Sequence, residues 1–275
     1  MKHTKIFGGK KMIKNWIITG DTHGDFSRFK EYPISYNNPD TAVIILGDAG
    51  INIDGGKYDY FTKKSLSYDY DFYIYCVRGN HEMRPQDVKY MEKIWDSNVN
   101  GYVYYEPEFP KIRYFLDYGA YFFNGLSVFV IGGAYSVDKE FRLQRGLPWF
   151  ENEELTEDEM DDCMRRLIGR HFDLVLTHTC PFAWEPKDLF LGFIDQSKVS
   201  KRMEKFLDEV RQEINPDAIW LFAHFHADRI ERPGVELFFK DSETLSEIMD
   251  RWKNFAITQE LDWWLNKSPN FYQGR

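Results

Sequence analysis

The stretch Trp16-Ile17-Ile18-Thr19-Gly20-Asp21-Thr22-His23-Gly24 decides the fold, because an apolar run ends there in a short polar fragment. Its first four residues have the β-branched and aromatic character of a buried strand, and the glycines that follow fit a sharp turn. An aspartate and a histidine then stand just beyond the end of the run. The stretch therefore predicts a strand that delivers polar side chains at its carboxyl end.

Four more polar fragments repeat this arrangement further along the chain. They are Gly47-Asp48-Ala49-Gly50, Gly79-Asn80-His81-Glu82, Thr177-His178 and His224-Phe225-His226. Five of the chain's seven histidines lie within the five fragments. A lone Asp-x-His or His-x-His motif is weak evidence, whereas the ordered set is a strong signal. Imidazole, carboxylate and carboxamide groups at one sheet edge predict a site for two metal ions.

Other apolar runs predict the elements between and beyond these fragments. Strands are predicted at residues 16–19, 42–46, 72–77, 120–123, 127–131, 174–177, 218–222 and 235–239. Helices are predicted at residues 85–95, 156–168 and 200–214 from proline, capping and periodicity signals. Asn124-Gly125 predicts a tight hairpin turn. This order of elements indicates an α/β fold.

The aromatic-rich segment 97–117 has two interpretations. Short strands or a loop packed on the sheet are favoured, and an aromatic platform for a base or sugar is the alternative.

Length and composition bound the class of protein. The chain has 275 residues, of which 43% are hydrophobic, and this suits one large α/β domain. We expect an N-terminal extension at residues 1–14, one domain at 15–250, and a C-terminal helix and tail at 251–275 packed on that domain. The net charge of −9 disfavours a surface for duplex nucleic acid, although it permits a local basic pocket.

Cysteine usage and the absence of long apolar runs favour a cytoplasmic protein. No run approaches the ~20 residues of a membrane span, so no membrane partner is expected. The three cysteines lack Cys-x-x-Cys spacing, as is typical of a reducing compartment. Cys180 lies two residues from His178, but a small buried thiol is favoured over a metal ligand.

Taken together, the five fragments resemble the signature of the calcineurin-like metallophosphoesterase superfamily, over roughly residues 16–239. That signature runs Asp-x-His, Gly-Asp, Gly-Asn-His-Asp/Glu, His and Gly-His-x-His. Two positions depart from it mildly: Ala223 replaces a glycine, and Glu82 stands where many members have aspartate. The resemblance implies a four-layer α/β/β/α sandwich with two mixed β-sheets and a binuclear metal centre.

The resemblance also implies a role for each residue of the fragments. The implied ligands are Asp21, His23 and His226 for one metal ion, Asn80, His178 and His224 for the other, and Asp48 as a bridge. His81 is implied to assist the leaving group rather than to bind metal. Two divalent ions are expected, with manganese favoured and iron, zinc, nickel or magnesium as alternatives, because such N/O ligands accept all of them.

Four residues outside the ligand set are predicted to contact substrate. Arg78 could hold a phosphate oxygen, with a salt bridge to a neighbouring side chain as an equal alternative. Tyr135, Lys139 and Arg142 lie in a segment that begins with Gly132-Gly133 and resembles the equivalent loop of phosphodiesterase-like members of the superfamily. A purely structural loop is the alternative for that segment.

Three functions are consistent with these observations. The favoured one is hydrolysis of a phosphomonoester, on a small molecule or peptide, by in-line attack of a metal-bridging hydroxide. The first alternative is a phosphodiesterase acting on nucleotides or single-stranded nucleic acid. The second is a non-catalytic scaffold with the same fold, which the complete ligand set disfavours.

Overall fold

Two mixed β-sheets form the centre of the computed structural model, which describes residues 12–255. The strands within that range are β1 (Asn15–Thr19), β2 (Thr41–Ile45), β3 (Tyr73–Cys76), β4 (Glu92–Asp96), β5 (Gly101–Tyr105), β6 (Ile112–Phe115), β7 (Tyr118–Phe123), β8 (Leu126–Ile131), β9 (Leu174–Thr177), β10 (Ile219–Phe222), β11 (Arg229–Arg232), β12 (Val235–Leu237) and β13 (Ser242–Thr244). The helices are α1 (Lys57–Asp69), α2 (Lys139–Arg145), α3 (Glu157–Leu167), α4 (Arg202–Glu213) and, over residues 245–255, α5.

Each sheet has a parallel centre with antiparallel strands at its edges. The first sheet has the order β13-β1-β2-β3-β6-β5-β4, and β1, β2, β3 and β6 run parallel. The second has the order β11-β12-β10-β9-β8-β7, and β12, β10, β9 and β8 run parallel. The carboxyl ends of β1, β2 and β3 therefore lie along one edge of the first sheet, and those of β9 and β10 along one edge of the second.

The apolar residues fall into three layers of core that confirm the predicted four-layer sandwich. Alternate residues of β1 show the pattern: Trp16 and Ile18 face the interior between the sheets, while Ile17 faces the outer side of the first sheet. On that outer side Leu66 of α1 joins the core. Met160 of α3 joins the third cluster, outside the second sheet. Helices thus cover both outer faces, and the order of layers is α/β/β/α.

Most of the elements predicted from the sequence are confirmed. All eight predicted strands exist, with ends that differ by at most two residues. Asn124 and Gly125 have φ values of 52° and 76°, as a two-residue hairpin turn requires. Helix α3 begins with a complete capping box, in which Thr156 accepts from the Glu159 amide and Glu159 from that of Thr156.

The prediction of a helix at residues 85–95 is wrong. Only Pro85–Asp87 forms a 3-10 turn, and Glu92–Asp96 is instead the edge strand β4, paired antiparallel with β5. Pairing with a neighbouring strand outweighs the helical apolar spacing. Segment 97–117 supplies β5 and β6 to the same sheet, in agreement with the favoured interpretation.

Two helices lack a clear signal in the sequence. Helix α1 carries mixed tyrosines and lysines without a sustained apolar period, and α2 lies partly within the segment that was interpreted as a loop. Gly146 ends α2 in the left-handed conformation, with a φ of 64°.

The ends of the predicted domain are only partly described. Residues 1–11 of the predicted extension and 256–275 of the predicted tail lie outside the described residues. Helix α5 contacts the core through Leu245 and Ile248, so it begins before residue 251.

None of the helices in the described range combines the length and apolarity needed to cross a bilayer. All three cysteines are buried, and burial raises the pKa of the Cys180 thiol well above its usual range, which favours its structural interpretation.

Candidate metal centre

The predicted ligands meet where the two sheets adjoin. The loops after β1, β2 and β3 carry Asp21, His23, Asp48, Asn80 and His81, and those after β9 and β10 carry His178, His224 and His226. Contacts across the sheets connect these loops: the His224 amide donates to Asp21 Oδ1 over 3.2 Å. Candidate ligands from five separate segments therefore converge on one site.

Asp21, His23 and His226 form the first group of ligand atoms, all within 4.8 Å of one another. Asp21 Oδ2 lies 3.1 Å from His226 Nε2 and 3.5 Å from His23 Nε2, and the two imidazole nitrogens are 3.0 Å apart. Although the carboxylate is buried, its Oδ2 has no hydrogen bond of normal geometry among the described residues. Two imidazoles and one unsatisfied carboxylate oxygen facing each other fit a divalent cation.

Asp21, Asp48 and His178 form a second group of the same kind, adjoining the first. His178 Nε2 lies 3.6 Å from Asp48 Oδ2 and 2.9 Å from Asn80 Oδ1. His178 Nδ1 lies 2.8 Å from the carbonyl oxygen of Leu46, and a hydrogen bond there places the ring proton on Nδ1. When Nε2 is deprotonated, its lone pair is directed at the same point as two oxygen acceptors, so a cation bound there would take the place of the Nε2 proton.

His224 lies beside the second group without belonging to it. Its ring is edge-on to that of His178, with centroids 4.9 Å apart. Burial, and then the neighbouring charge of His178, lower the pKa of His224 to about 3, so this imidazole is neutral and able to ligate. His224 thus lies next to the predicted site of the second metal ion, but its ring nitrogens are not part of the ligand group at that site.

The two carboxylates and His178 hold opposite charges in a buried place. Burial alone would raise the pKa of Asp21 and Asp48, but the facing imidazoles outweigh it and hold both carboxyls well below their usual range. Burial likewise opposes protonation of His178, yet Asp48 and Asp21 raise the pKa of that imidazole to about 9. The two buried carboxylates thus favour positive charge at this site, either on the His178 imidazole or on a bound cation.

The backbone is strained where it presents the ligands. Seven non-glycine residues in the described range have positive φ, and four of them are His23, Asp48, His224 and His226. Such conformations are uncommon for side-chain-bearing residues and are concentrated at functional sites. Gly47 has a φ of 106°, and a Cβ added there would lie 2.1 Å from His178 Nδ1. Glycine at this position is required by both its dihedral angle and the close approach of the ligand ring.

Asn80 is oriented by two residues that the sequence did not reveal. Its Nδ2 donates to Ser136 Oγ over 2.9 Å, and Ser136 Oγ donates to Glu153 Oε2 over 2.5 Å. The backbone amide of Ser136 also donates to Glu153 Oε1. Glu153 comes seventeen residues after Ser136, in a stretch without a motif, so no local signal identifies it.

Glu82 connects the loops after β2 and β3. Its carboxylate accepts from the amides of Gly50 and Gly79, at 2.8 and 3.3 Å. Burial, with the nearby charge of Asp48, raises the pKa of Glu82 to about 7. The sequence placed Glu82 within a motif but did not indicate this connecting role.

His81 lies on the rim of the ligand groups, with its side chain 22% exposed. Its Nε2 is 3.8 Å from Asp48 Oδ2 and 4.0 Å from Asp138 Oδ1, and its Nδ1 has no hydrogen bond among the described residues. Burial and the charge of Arg142 lower the pKa of His81, while Asp48 and Asp138 oppose the change. A partly exposed imidazole beside the ligands can exchange a proton with a bound molecule.

The four predicted substrate contacts occupy different surroundings. Arg78 is buried and forms a salt bridge with Asp117 over 2.6 Å, which is the alternative stated for it. Tyr135 lines the cavity beside the ligands. Lys139 lies over the ring of Trp149, and Arg142 forms a salt bridge with Asp138. The structure therefore brings Tyr135 to the site directly and Arg142 only through Asp138.

Comparison with known proteins yields one family and several solved structures. The model of the calcineurin-like phosphoesterase family matches residues 16–228. A phosphopantetheinyl hydrolase from Mycobacterium tuberculosis is 13% identical, with a TM-score of 0.44, over 84% of this chain and 89% of that one. A novel archaeal phosphodiesterase is 14% identical, with a TM-score of 0.30, over 62% of this chain and 74% of that one. No match was found among curated proteins.

Proposed function

We propose that this chain, which belongs to the calcineurin-like phosphoesterase family and is a metal-dependent hydrolase of phosphoric esters, is a binuclear phosphomonoesterase. Its substrate in this proposal is a phosphorylated small molecule or peptide, and manganese is the favoured ion. One observation carries the proposal: two adjoining groups of ligand atoms share Asp21, with His81 at their rim. That arrangement suits two cations beside a proton donor.

The chain's own residues have distinct tasks in this proposal. Asp21, His23 and His226 would hold one ion, and Asn80, His178 and His224 the other, with Asp48 between them. When bound, two such ions polarise phosphoryl oxygens and lower the pKa of a shared water molecule. The Leu46 carbonyl keeps the Nδ1 proton of His178 in place, and Ser136 keeps the Asn80 oxygen directed at the site.

His81 would supply the proton to the leaving oxygen. Its ring is partly exposed beside Asp48, so it can contact both a bound ester and bulk water. Asp138 lies near the same imidazole and is itself paired with Arg142, so the Asp138–Arg142 pair would adjust the charge around His81. Tyr135, which lines the cavity, is the proposed direct substrate contact of its segment, whereas Arg142 would act through Asp138 and Lys139 lies over Trp149 instead.

A phosphodiesterase is the second candidate, and one observation favours it. Arg78 and Arg142 form salt bridges within the protein, so neither is free to neutralise the second negative charge of a monoester. A diester carries one charge fewer and needs less neutralisation. The balance between the two functions therefore depends on how much charge the bound ions neutralise.

A hydrolysis screen with manganese separates the two functions. We expect p-nitrophenyl phosphate to be cleaved with a higher kcat/KM than bis-p-nitrophenyl phosphate, and nucleotide monophosphates to be cleaved in preference to cyclic or dinucleotide diesters. Preference for the diesters would reject the monoesterase and support the second candidate. Undiminished activity in both Asp48→Asn and His81→Ala would contradict the assignment of the site itself.

A further inference from the structure

A cavity of about 290 Å³ adjoins the metal centre. One end is lined by Asp48, Asn80, His81, His224 and His226. Much of the remainder is lined by residues between 189 and 200, which belong to segment 182–200 between β9 and α4; we call this segment the cap segment. The cavity is near the lower end of the volume range of small-molecule sites. It is continuous with the ligands, so whatever occupies it also contacts the reacting end of the substrate.

The cap segment gives the cavity an apolar wall. The apolar lining residues from this segment and the adjacent metal loop are Leu189, Phe190, Leu191, Ile194, Val199 and Phe225. The rings of Phe190 and Phe225 stack with centroids 6.2 Å apart, which connects the cap segment to the loop that carries His224 and His226. Asp188 anchors the same segment through a two-point salt bridge to Arg229, at 2.7 and 2.9 Å.

The cavity offers no unengaged positive side chain away from the metal centre. Among the residues that line the cavity in the described part of the chain, Lys201 is the only lysine or arginine. Its ammonium group lies 2.7 Å from Glu185 and over the ring of Phe190, so its charge is already balanced. A second phosphate placed in this part of the cavity would therefore lose its hydration without gaining a counter-ion.

Glu204 provides the cavity with a polar group that lacks a full set of partners. The side chain lines the cavity although it is 4% exposed. Its Oε1 accepts from the Thr179 hydroxyl over 2.9 Å, whereas its Oε2 has no hydrogen-bond partner among the described residues. Buried carboxyl oxygens without partners are rare and costly, so this atom points to a hydrogen-bond donor supplied by a ligand.

We infer that this cavity holds the non-phosphate portion of the substrate, and that this portion is apolar, lacks a second phosphate and carries a hydrogen-bond donor for Glu204. The inference rests on the proposed function, because it takes the metal end of the cavity as the phosphate site. It narrows the substrate from phosphate esters in general to small esters of apolar alcohols that bear a hydroxyl or amide group.

Binding of phosphonates to the manganese-loaded protein tests the inference without turnover. Four probes suffice: ethylphosphonate, hexylphosphonate, 6-hydroxyhexylphosphonate and hexane-1,6-bisphosphonate. Each is titrated by calorimetry at pH 8, above the pKa of about 7 to which burial raises Glu204, so that the carboxylate accepts hydrogen bonds. We expect hexylphosphonate to bind at least about tenfold more tightly than ethylphosphonate, because its extra methylenes leave water. The hydroxyl-terminated probe should bind about threefold to tenfold more tightly than hexylphosphonate. The bisphosphonate should bind at least about tenfold more weakly.

Two variants assign these differences to the cavity. Ile194→Ser should reduce the advantage of the longer chain, whereas Leu143→Ser, an exposed position on α2 that does not line the cavity, should not. Glu204→Met should remove the preference for the terminal hydroxyl while hexylphosphonate still binds, which also shows that the variant is folded. A hydroxyl preference that persists in Glu204→Met would overturn the role of Glu204.

The outcomes separate this inference from the proposed function. Equal binding of the two- and six-carbon probes, with p-nitrophenyl phosphate still hydrolysed, would overturn the inference and leave the proposed function intact. The expected binding order without hydrolysis of any ester would reject the proposed function and leave the shape and chemistry of the cavity established. Tight binding of the bisphosphonate would overturn the exclusion of a second phosphate.

Discussion

The side-chain amide of Asn80 donates to the hydroxyl of Ser136 over 2.9 Å, and this fixes which end of the Asn80 carboxamide faces the metal centre. Because the Ser136 hydroxyl donates to Glu153, its lone pairs are left to accept from Asn80. The carbonyl oxygen of Asn80 is thereby directed at His178 Nε2, 2.9 Å away. A carboxylate that touches no ligand atom thus determines the orientation of one ligand.

Glu153→Gln should weaken metal binding. The new amide would donate to Ser136 Oγ, the hydroxyl would then donate to Asn80, and the Asn80 carboxamide would turn its nitrogen toward the site. We expect a loss of about 10- to 100-fold in manganese affinity, measured by calorimetry. Glu151→Gln, an exposed neighbour, is the matched control and should bind manganese normally. Unchanged affinity in Glu153→Gln would show that Asn80 is oriented by other contacts.

His81→Ala should reduce kcat selectively for esters with poor leaving groups. An alkoxide needs a proton as it departs, whereas p-nitrophenolate does not. The expected loss is about 10²- to 10⁴-fold for alkyl phosphates and much smaller for p-nitrophenyl phosphate. His171→Ala, an exposed histidine outside the site, serves as the control. Equal losses on both kinds of ester would contradict a proton-donating role.

Gly47→Ala should destabilise the metal-free protein more than Gly146→Ala, because Gly47 has both the less accessible φ, 106° against 64°, and a close neighbour. Gly47 and Gly146 both have positive φ, but an added Cβ would strike the His178 ring at Gly47 and meet nothing within 4 Å at Gly146. We expect a cost of about 1 kcal/mol for Gly146→Ala. For Gly47→Ala we expect about 2 to 4 kcal/mol. Denaturant unfolding measures both, and equal costs would show that the His178 ring moves aside freely.

Glu204→Gln should change how the free energy of unfolding depends on pH. Burial raises the pKa of Glu204 from its ordinary 4.5 to about 7. Between these values the folded state binds more protons than the unfolded state, so wild-type stability falls as the pH rises and levels off above pH 7. Because glutamine does not titrate, the variant does not lose stability in this way as the pH rises. Its stability relative to wild type should therefore increase by about 1 to 3 kcal/mol from pH 4.5 to pH 8.

Exposed Glu209 on α4 provides the control for that experiment, because Glu209→Gln should leave the pH dependence unchanged. Other buried acids such as Glu82 titrate in both proteins, so their contributions cancel in the difference between the two free energies of unfolding. A constant difference across the pH range would mean that the pKa of Glu204 is the same in the folded and the unfolded protein.

The sequence indicates the candidate ligands because each of them follows a strand, and strand ends in parallel sheets share an edge. The fragments around Asp21, Asp48 and Asn80 carry both the strand signal and the chemistry in consecutive residues. Their convergence then follows from topology alone. The order of elements indicates only an α/β fold, and the four-layer sandwich follows from the resemblance of the fragments to the metallophosphoesterase signature.

The supporting contacts could not be inferred in this way. Glu153 meets Ser136 only because the chain between them folds back, and a single sequence carries no record of that approach. Arg78 lies directly before a ligand motif, yet its charge is balanced by Asp117, thirty-nine residues away. The strand Glu92–Asp96 likewise depends on its pairing with β5. Long-range partners determine each of these features, whereas local patterns determine the ligands.

The origin of the ligands in two different sheets has a mechanical consequence. Asp48 and Asn80 move with the first sheet, and His178 and His224 with the second, so sliding of one sheet over the other would separate them. Residues between the sheets, such as Leu46 and Leu176, oppose that sliding. Ions bound to both ligand sets would oppose it as well, and the loaded protein should be stiffer in shear than the metal-free one. The affinity for metal ions should therefore respond to changes in side-chain packing between the two sheets, in a part of the interior that no substrate contacts.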